Sequence, residues 1–253
     1  MLPSSFLTAP IAHRALHDRD AGRPENSVEA VRAAIAGGYG IEIDLQLSSD
    51  GQAMVFHDYD LGRLTAQTGP LRQRSAAELG AIPLLGGETG IPRFEEVLAL
   101  VAGQVPLLIE IKDQDGALGA AIGRLEEATA KALAGYRGPA AVMSFNPNST
   151  RIMAGLAPNV PRGITTCSYD PADWPLLPAG TRDRLRDIPD IDAAQAHFIS
   201  HEWTDLDRPR VVALREQGLP VFCWTIRSAA QEAEARKSAD AVTFETYLPH
   251  LDT

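Results

Sequence analysis

The sequence is poor in cysteine and in positive charge. Its 2 cysteines, Cys167 and Cys223, form neither a disulfide framework nor a metal-binding pair, so we expect both to be small core residues. The 23 lysines and arginines are outnumbered by 33 aspartates and glutamates, which gives a formal net charge of −10. This acidity argues against general binding to nucleic acid or to anionic membranes, and an anionic substrate would need a locally positive site.

Long hydrophobic segments are also missing. No apolar run approaches the roughly 20 residues that a membrane-spanning helix needs. The N-terminal segment, residues 1–13, has neither a basic start nor a long apolar stretch, so we expect no signal peptide. Together these features predict a cytoplasmic protein without a membrane span.

The chain is nevertheless hydrophobic enough to build a full core. Its 253 residues are 45% hydrophobic, which suits one large α/β domain or two small domains. Strand-like runs alternate with helical runs, and we expect strands at residues 10–15, 41–48, 106–112, 140–145, 162–166, 196–200, 220–225 and 241–244. This order predicts one catalytic domain, residues 1–253, with a TIM-type (β/α)8 barrel. An open doubly wound sheet is the alternative, but the sequence has no glycine-rich nucleotide loop.

Residues 59–91 break this alternation. They follow the second strand and a short return strand, and they are rich in glycine, threonine, arginine and glutamine. The segment is too long and too polar for a simple connection, and only residues 76–79 form a short helical run. We therefore expect a small insertion after strand 2, packed over one face.

The second strand and its return strand give the first indication of a site. Glu42 and Asp44 alternate with apolar residues, so both carboxylates point to the same face. A pair of this kind usually faces water, but this strand is expected to be buried. Buried carboxylates repel each other unless a positive charge lies between them, and a divalent cation is the simplest one. The return strand brings His57 close to the same place.

Polar residues also cluster at the carboxyl ends of other strands, where barrel enzymes place their catalytic groups. These positions are His13, Arg14, Glu110, Lys112, Ser144, His201 and Trp224. With Glu42 and Asp44, Glu110 completes a set of hard oxygen ligands that suits Mg²⁺ or Ca²⁺, and also Mn²⁺.

The remaining members of this cluster suggest the chemistry. His13 and His57 can act as a general acid and a general base near neutral pH. Arg14 and Lys112 would add the positive charge that a phosphate oxygen requires.

Several polar residues have simpler interpretations. A single histidine is more often structural than catalytic, and we place His17, His197, His201 and His250 in that class. We expect Asp58 to cap or support a neighbour rather than to bind a metal.

The ordered set of motifs resembles the glycerophosphodiester phosphodiesterase family over residues 10–246. No single motif is specific, but their order and spacing are. The motifs are His13-Arg14, Pro24-Glu25-Asn26-Ser27, Glu42-x-Asp44, Asp50-Gly51, His57-Asp58, Arg63-Leu64-Thr65, Thr68-Gly69, Ile91-Pro92, Glu110-x-Lys112, Ser144-Phe145 and Trp224-Thr225. The sequence departs from the usual family pattern in three places. Ala15 replaces a glycine, and Ser27 replaces a threonine. Near the end of the eighth strand, where the family often has an aspartate, the run is Thr243-Phe244-Glu245-Thr246.

The resemblance implies a metal-dependent phosphodiesterase acting on small-molecule glycerophosphodiesters, which gives glycerol 3-phosphate and an alcohol. It implies catalytic roles for His13 and His57 and metal binding by Glu42, Asp44 and Glu110. It places Arg14 and Lys112 at the phosphate, and Phe145 and Trp224 as walls for the organic part of the substrate.

Two alternatives stay open. One is a lysophospholipase D-like phosphodiesterase, which ranks second because no long apolar loop that would cap an acyl chain is evident. The other is a catalytically silent barrel that only binds phosphodiesters. Retention of both histidines and all three carboxylates argues against it, because binding alone needs no acid–base pair.

Overall fold

The computed structural model describes residues 1–251, which form a closed barrel of parallel strands surrounded by helices. The strands in this range are β1 (Ile11–Ala12), β2 (Gly40–Leu47), β3 (Ala53–Val55), β4 (Leu107–Ile111), β5 (Ala140–Ser144), β6 (Arg162–Thr166), β7 (Phe198–Glu202), β8 (Val221–Ile226) and β9 (Ala241–Phe244). All of them except β3 are parallel to their neighbours, and β1 closes the barrel by pairing with both β2 and β9. The predicted TIM-type barrel is confirmed.

Helices connect most of these strands. In the described range they are α1 (Ser5–Thr8), α2 (Val28–Gly37), α3 (Ala76–Gly80), α4 (Phe94–Val101), α5 (Arg124–Leu133), α6 (Pro147–Leu156), α7 (Ala179–Arg186), α8 (Pro209–Glu216) and α9 (Ala229–Ala235). The Ser27 side chain accepts from the Ala30 backbone N–H at 3.0 Å and caps the helix, whereas Asn26 turns to Asp44.

Two predicted boundaries differ from the structure. Hydrophobic periodicity predicts a helix over residues 118–134. The observed helix α5 begins only at Arg124, because the Asp113 carboxylate accepts backbone N–H groups of Gly116 and Leu118 at 2.7 and 3.1 Å and holds this segment as a loop. The strand expected at 196–200 lies instead at Phe198–Glu202, so His201 lies within the strand rather than after it.

The insertion has an apolar cluster of its own. Its members are Leu61, Leu71, Ala76, Leu79, Leu84 and Ile91, together with Met54 in β3 and Phe56 just after it. This packing explains how a polar segment stays ordered beside the barrel. Tyr59, at its start, donates a hydrogen bond to the Asp113 carbonyl oxygen at 2.7 Å and ties the insertion to the loop after β4.

The amino-terminal half of the barrel interior is filled by aromatic rings. Phe198 and Phe222 stack with their centroids 4.6 Å apart, and Phe6 of α1 covers them at 6.3 Å from Phe222. Because the interior is densely packed at this end, a ligand can enter the barrel interior from the carboxyl-terminal end.

Gly163 in β6 is required by this packing. A Cβ added there would lie 2.3 Å from Cε2 of Phe198. We expect Gly163→Ala to lower the free energy of unfolding by about 1–3 kcal/mol, because overpacking forces buried side chains out of their rotamers. Gly155→Ala is the matched control: its Cβ would meet nothing within 4 Å, and the change should raise helix stability by roughly 0.5–1 kcal/mol. Urea unfolding of both variants measures this, and equal effects would contradict the packing argument.

Candidate active site

Three carboxylates meet at the open end of the barrel. Glu42 and Asp44 are two residues apart on β2, so they share a face, and Glu110 of β4 is the register partner of Asp44. All three are buried, and one oxygen from each lies within 4.8 Å of the others. The structure therefore brings together the three residues predicted as metal ligands.

Charge in this cluster is only partly compensated. Lys112 Nζ lies 2.8 Å from Asp44 Oδ1 and 2.6 Å from Glu110 Oε1. Burial would raise the pKa of Asp44, but Lys112, His57 and Arg14 outweigh it and hold that pKa well below its usual range. Asn26 Nδ2 also donates to Asp44 Oδ2 at 2.8 Å.

Glu42 is different, because no cationic side chain within residues 1–251 forms an ion pair with it. It accepts one backbone N–H, from Arg14, at 2.8 Å. Burial, and then the charges of Asp44 and Glu110, raise the pKa of Glu42 well above its usual value. Three buried oxygen donors with a surplus of negative charge fit a divalent cation, and these groups are candidate metal ligands on the chemistry of the donor set.

His13 forms a close pair with Glu245. Its Nδ1 lies 2.6 Å from Glu245 Oε2, and Arg227 donates to the other carboxylate oxygen at 2.8 Å. Since a carboxylate only accepts, Nδ1 carries the proton and Nε2 is left free for chemistry. Burial lowers the pKa of His13, and the Glu245 hydrogen bond opposes this effect. Burial would raise the pKa of Glu245, but the hydrogen bond with His13 and the proximity of His17 outweigh it and hold that pKa well below its usual range.

His57 is paired in the same way. Its Nδ1 lies 2.7 Å from Asp58 Oδ1, and Arg63 Nε donates to Asp58 Oδ2 at 2.7 Å. Burial would raise the pKa of Asp58, but the hydrogen bonds from His57 and Arg63 hold it well below its usual range. Asp58 thus supports His57, as the sequence indicated, and the site contains two imidazoles that are each oriented by a carboxylate.

Arg14 reaches the cluster through an unusual backbone turn. Both Arg14 and Ala15 have positive φ angles, of 51° and 63°, in the region that glycine adopts most easily. The turn places Arg14 Nε 3.7 Å from Asp44 Oδ2, while its Nη1 donates to Glu25 at 2.7 Å. Glu25 also accepts two hydrogen bonds from Arg63. It therefore connects Arg14 with the Arg63 side chain that holds Asp58 beside His57.

Sequence reasoning missed part of this site. It gave no role to Glu245, Glu25 or Asn26, although Glu245 directly follows β9 at the carboxyl end of the barrel, where catalytic groups are expected. It also placed His17 among the structural histidines, yet His17 Nε2 lies 3.6 Å from Glu245 Oε2. His201 has the contacts expected of a structural histidine, because Thr166 and Asp205 lie within hydrogen-bond distance of its two ring nitrogens.

Two connected cavities open onto these groups. The smaller, of about 190 Å³, is lined by polar and charged residues, among them His13, Arg14 and Glu42. The larger, of about 1160 Å³, is lined by apolar side chains of the loop after β6 and by many polar and charged side chains of the insertion and of the loop after β4. Both cavities share the residues His57, Glu110, Lys112, Phe145 and Trp224. Phe145 and Trp224 therefore lie where the resemblance implied that they form walls.

The loop after β6 corrects one sequence argument. No apolar loop over the site was evident from the sequence, but Trp174, Pro175, Leu176 and Leu177 line the larger cavity. These four residues are consecutive between Asp173 and Pro178, and so short a run does not stand out in the sequence as a loop over the site.

Comparison with known proteins places the chain in a family. The sequence profile of the Glycerophosphoryl diester phosphodiesterase family matches residues 13–244. The chain belongs to this family. A glycerophosphodiester phosphodiesterase of Caldanaerobacter subterraneus subsp. tengcongensis is 30% identical over 246 residues, which cover 93% of each chain. The prediction of a phosphodiesterase of the glycerophosphodiester family is confirmed.

Solved structures share the fold. An Oleispira antarctica phosphodiesterase, solved in complex with the product sn-glycerol-3-phosphate, superposes with a TM-score of 0.77 at 23% identity and covers 95% of this chain and 94% of its own. A glycerophosphodiester phosphodiesterase from Agrobacterium tumefaciens gives a TM-score of 0.70 at 22% identity, with 94% and 96% covered. No helix within residues 1–251 is long and apolar enough to span a membrane.

The Glu245 carboxylate gives a testable expectation. Glu245→Gln should lower kcat by roughly 10²-fold, since losing the carboxylate that orients a catalytic imidazole costs up to about 10⁴-fold in serine proteases. Because Glu245 raises the pKa of His13, its loss lowers that pKa further, and the acid limb of the pH–rate profile should move to lower pH. Glu234→Gln, at an exposed glutamate, is the control. An unchanged profile in Glu245→Gln would show that this carboxylate does not act through His13.

Proposed function

We propose that this protein hydrolyses glycerophosphodiesters to glycerol 3-phosphate and an alcohol in a reaction that depends on a divalent metal ion. The observation that carries the proposal is the pair of carboxylate-oriented imidazoles, His13 and His57, which line one cavity together with Glu42, Glu110 and Lys112. A site that only binds an anion has no need of two oriented acid–base groups.

Glu42, Asp44 and Glu110 would hold the metal ion, which we expect to be Mg²⁺, Ca²⁺ or Mn²⁺ because all three ligands are hard oxygens. When bound, the ion supplies positive charge that stabilises negative charge building up on the phosphate oxygens. Arg14 and Lys112 would add to that charge from the protein side. Both are held by carboxylates in the cluster and therefore need little rearrangement.

We assign the two arms of the diester to the two cavities. The smaller, polar cavity suits the glycerol arm, and the larger cavity suits the alcohol that leaves. His13 lines only the smaller cavity, so we assign it as the general base, whereas His57 lines both and is assigned as the general acid.

The proton balance follows from this assignment. His13 Nε2 takes a proton from the nucleophile as its oxygen forms a bond to phosphorus, and His57 Nε2 gives a proton to the alcohol oxygen as its bond to phosphorus breaks. The nucleophile is either water or the neighbouring glycerol hydroxyl. The second route gives a cyclic phosphate, which water then opens.

Release of glycerol 3-phosphate from glycerophosphocholine, with and without chelator, tests the proposal. We expect activity to disappear on chelation and to return with Mg²⁺, Ca²⁺ or Mn²⁺. Full activity of a metal-stripped sample would remove the metal from the mechanism. Binding of glycerophosphocholine without any hydrolysis, in the presence of all three ions, would instead favour the catalytically silent barrel.

A further inference from the structure

A second group of side chains that can bind a metal lies around Glu245. One ring nitrogen of His13, one ring nitrogen of His17 and one carboxylate oxygen of Glu245 lie within 4.8 Å of one another. The three side chains are partly buried, and the most exposed of them, His17, is 23% exposed. This group shares no residue with the three buried carboxylates, and two of its three donors are imidazole nitrogens.

The backbone turn after β1 brings both histidines to the same carboxylate. Arg14 and Ala15 lie between them with positive φ angles, and the His17 backbone N–H donates to the Ala15 carbonyl oxygen at 2.8 Å. This turn reverses the chain between His13 and His17. Because β1 pairs with β9, Glu245, which directly follows β9, lies beside both imidazoles.

The Nε2 atom of His17 is buried and has no hydrogen-bond partner within residues 1–251. It lies 3.6 Å from Glu245 Oε2, which is too far for a hydrogen bond. That oxygen already contacts His13 Nδ1 at 2.6 Å, and the other carboxylate oxygen accepts from Arg227. Buried polar groups are nearly always hydrogen-bonded, so this unpaired nitrogen requires an explanation. A cation held between the two imidazoles and the carboxylate would give it a partner.

The spacing and the type of these donors suit zinc. In a tetrahedral zinc site with ligands at about 2.0–2.1 Å, neighbouring ligand atoms are about 3.3 Å apart. The distance of 2.6 Å from Glu245 Oε2 to His13 Nδ1 would widen, and that of 3.6 Å to His17 Nε2 would shorten, each by less than about 1 Å. Two histidines and one glutamate form a known class of zinc site, whereas Mg²⁺ and Ca²⁺ prefer oxygen ligands alone.

We propose that His13, His17 and Glu245 form a second metal site, which binds Zn²⁺ and thereby inhibits the reaction. A neutral imidazole carries one ring proton, and in the zinc-free protein the Glu245 carboxylate holds it on His13 Nδ1. When Nδ1 gives its lone pair to zinc, this proton lies on Nε2 instead, so no proton is gained or lost. Nε2 can then no longer take a proton from the nucleophile. Zinc binding does not depend on the proposed function, whereas inhibition does, because it acts on the assigned base.

Inhibition kinetics test the effect on the reaction. Hydrolysis of glycerophosphocholine is measured in an excess of the activating ion, Mg²⁺, Ca²⁺ or Mn²⁺, while Zn²⁺ is added. We expect saturating zinc to lower the rate roughly 10²-fold or more, the usual contribution of a positioned base. More of the activating ion should leave the zinc inhibition constant unchanged, because the two ions bind at different sites. An inhibition constant that rises in proportion to the activating ion would place zinc among the three carboxylates and overturn the proposal.

A pair of histidine variants locates the zinc site. His17→Gln removes one ligand and should raise the zinc inhibition constant at least about 100-fold, since even the loss of an outer partner of a metal ligand costs roughly 10–100-fold in affinity. Each variant is compared with its own rate in the absence of zinc. His250→Gln, at an exposed histidine, is the matched control and should keep the wild-type constant. Equal zinc inhibition of His17→Gln and the wild-type protein would overturn the proposal.

Two measurements without substrate separate this site from the proposed function. Calorimetric titration with Zn²⁺ in excess Mg²⁺ should show a site that His17→Gln weakens and His250→Gln does not. Nitrogen-15 NMR of the wild-type histidine side chains should show that zinc moves the His13 ring proton from Nδ1 to Nε2, and this result does not depend on how well a variant folds. Both results support the zinc site even if no diester is hydrolysed, and in that case the proposed function alone fails. A His13 ring proton that stays on Nδ1 in saturating zinc overturns the proposal.

Discussion

His13→Ala and His57→Ala should each lower kcat by roughly 10²–10⁴-fold, the usual contribution of a positioned acid or base. Both side chains lie at the open end of the barrel, beyond the stacked rings of the packed interior. Their loss should therefore change the melting temperature and substrate affinity much less than the rate. His250→Ala, at an exposed histidine, is the control and should match the wild-type protein. Unfolding of both variants would show that these histidines are structural.

The double variant and a reactive substrate sharpen this test. Because acid and base serve one proton-transfer sequence, the effects of His13→Ala and His57→Ala should not add. A p-nitrophenyl ester of glycerol 3-phosphate needs little protonation of its leaving oxygen. His57→Ala should therefore recover on this substrate, and His13→Ala should not. Recovery of His13→Ala instead would reverse the assigned roles, and recovery of neither would contradict acid catalysis by this pair.

The second large effect is expected on metal binding, when the three carboxylates of the acidic cluster are substituted. Glu42→Gln, Asp44→Asn and Glu110→Gln should each abolish or strongly weaken metal binding, because each change removes one of three charged ligands and preserves side-chain shape. Calorimetric titration of the purified proteins with Mg²⁺, Ca²⁺ and Mn²⁺ measures this directly. Glu216→Gln, at an exposed glutamate in α8, is the control. Titrations that match the wild-type protein in all three variants would show that the ligands are wrongly chosen.

The stability of the metal-free protein should respond differently to substitution of Glu42 and of Asp44. Glu42→Gln should leave the metal-free protein unchanged or more stable, because burial and its two acidic neighbours make a charged Glu42 unfavourable there. Asp44→Asn should destabilise it, because Lys112 and Arg14 lose the carboxylate that compensates their buried charge. Thermal unfolding in the presence of a chelator, with Glu216→Gln as reference, measures the stability of both variants. Equal shifts for Glu42→Gln and Asp44→Asn would contradict this account of the charges.

Much of the fold could be predicted because the barrel repeats a local pattern. Short apolar runs followed by amphipathic helices recur along the whole chain, and each boundary depends mainly on nearby residues. The exceptions have local causes that a periodicity argument does not contain. Asp113 delays the start of α5 by binding backbone N–H groups, and Gly123, at the N-cap of α5, has a φ of 137°.

Part of the site could also be predicted from the sequence. The spacing of Glu42 and Asp44 on one strand determines that they share a face, and their position before a return strand brings His57 near them. The supporting carboxylate Glu245 was not assigned a role. Its contact with His13 joins residues separated by 232 positions, and only closure of the barrel through β1 and β9 brings them together.

The sequence by itself determined the order of strands and helices, the family, and the two-residue spacings that place pairs of polar side chains on one face. The tertiary structure decided which carboxylate orients each histidine, which acidic residue lacks a compensating charge, and how the loop after β6 turns Trp174 and Leu176 toward the site. The physical reason is the separation along the chain of the residues that determine each feature. Strand and helix patterns follow from neighbouring residues, whereas burial, charge compensation and cavity shape depend on side chains from distant strands that meet only when the barrel closes.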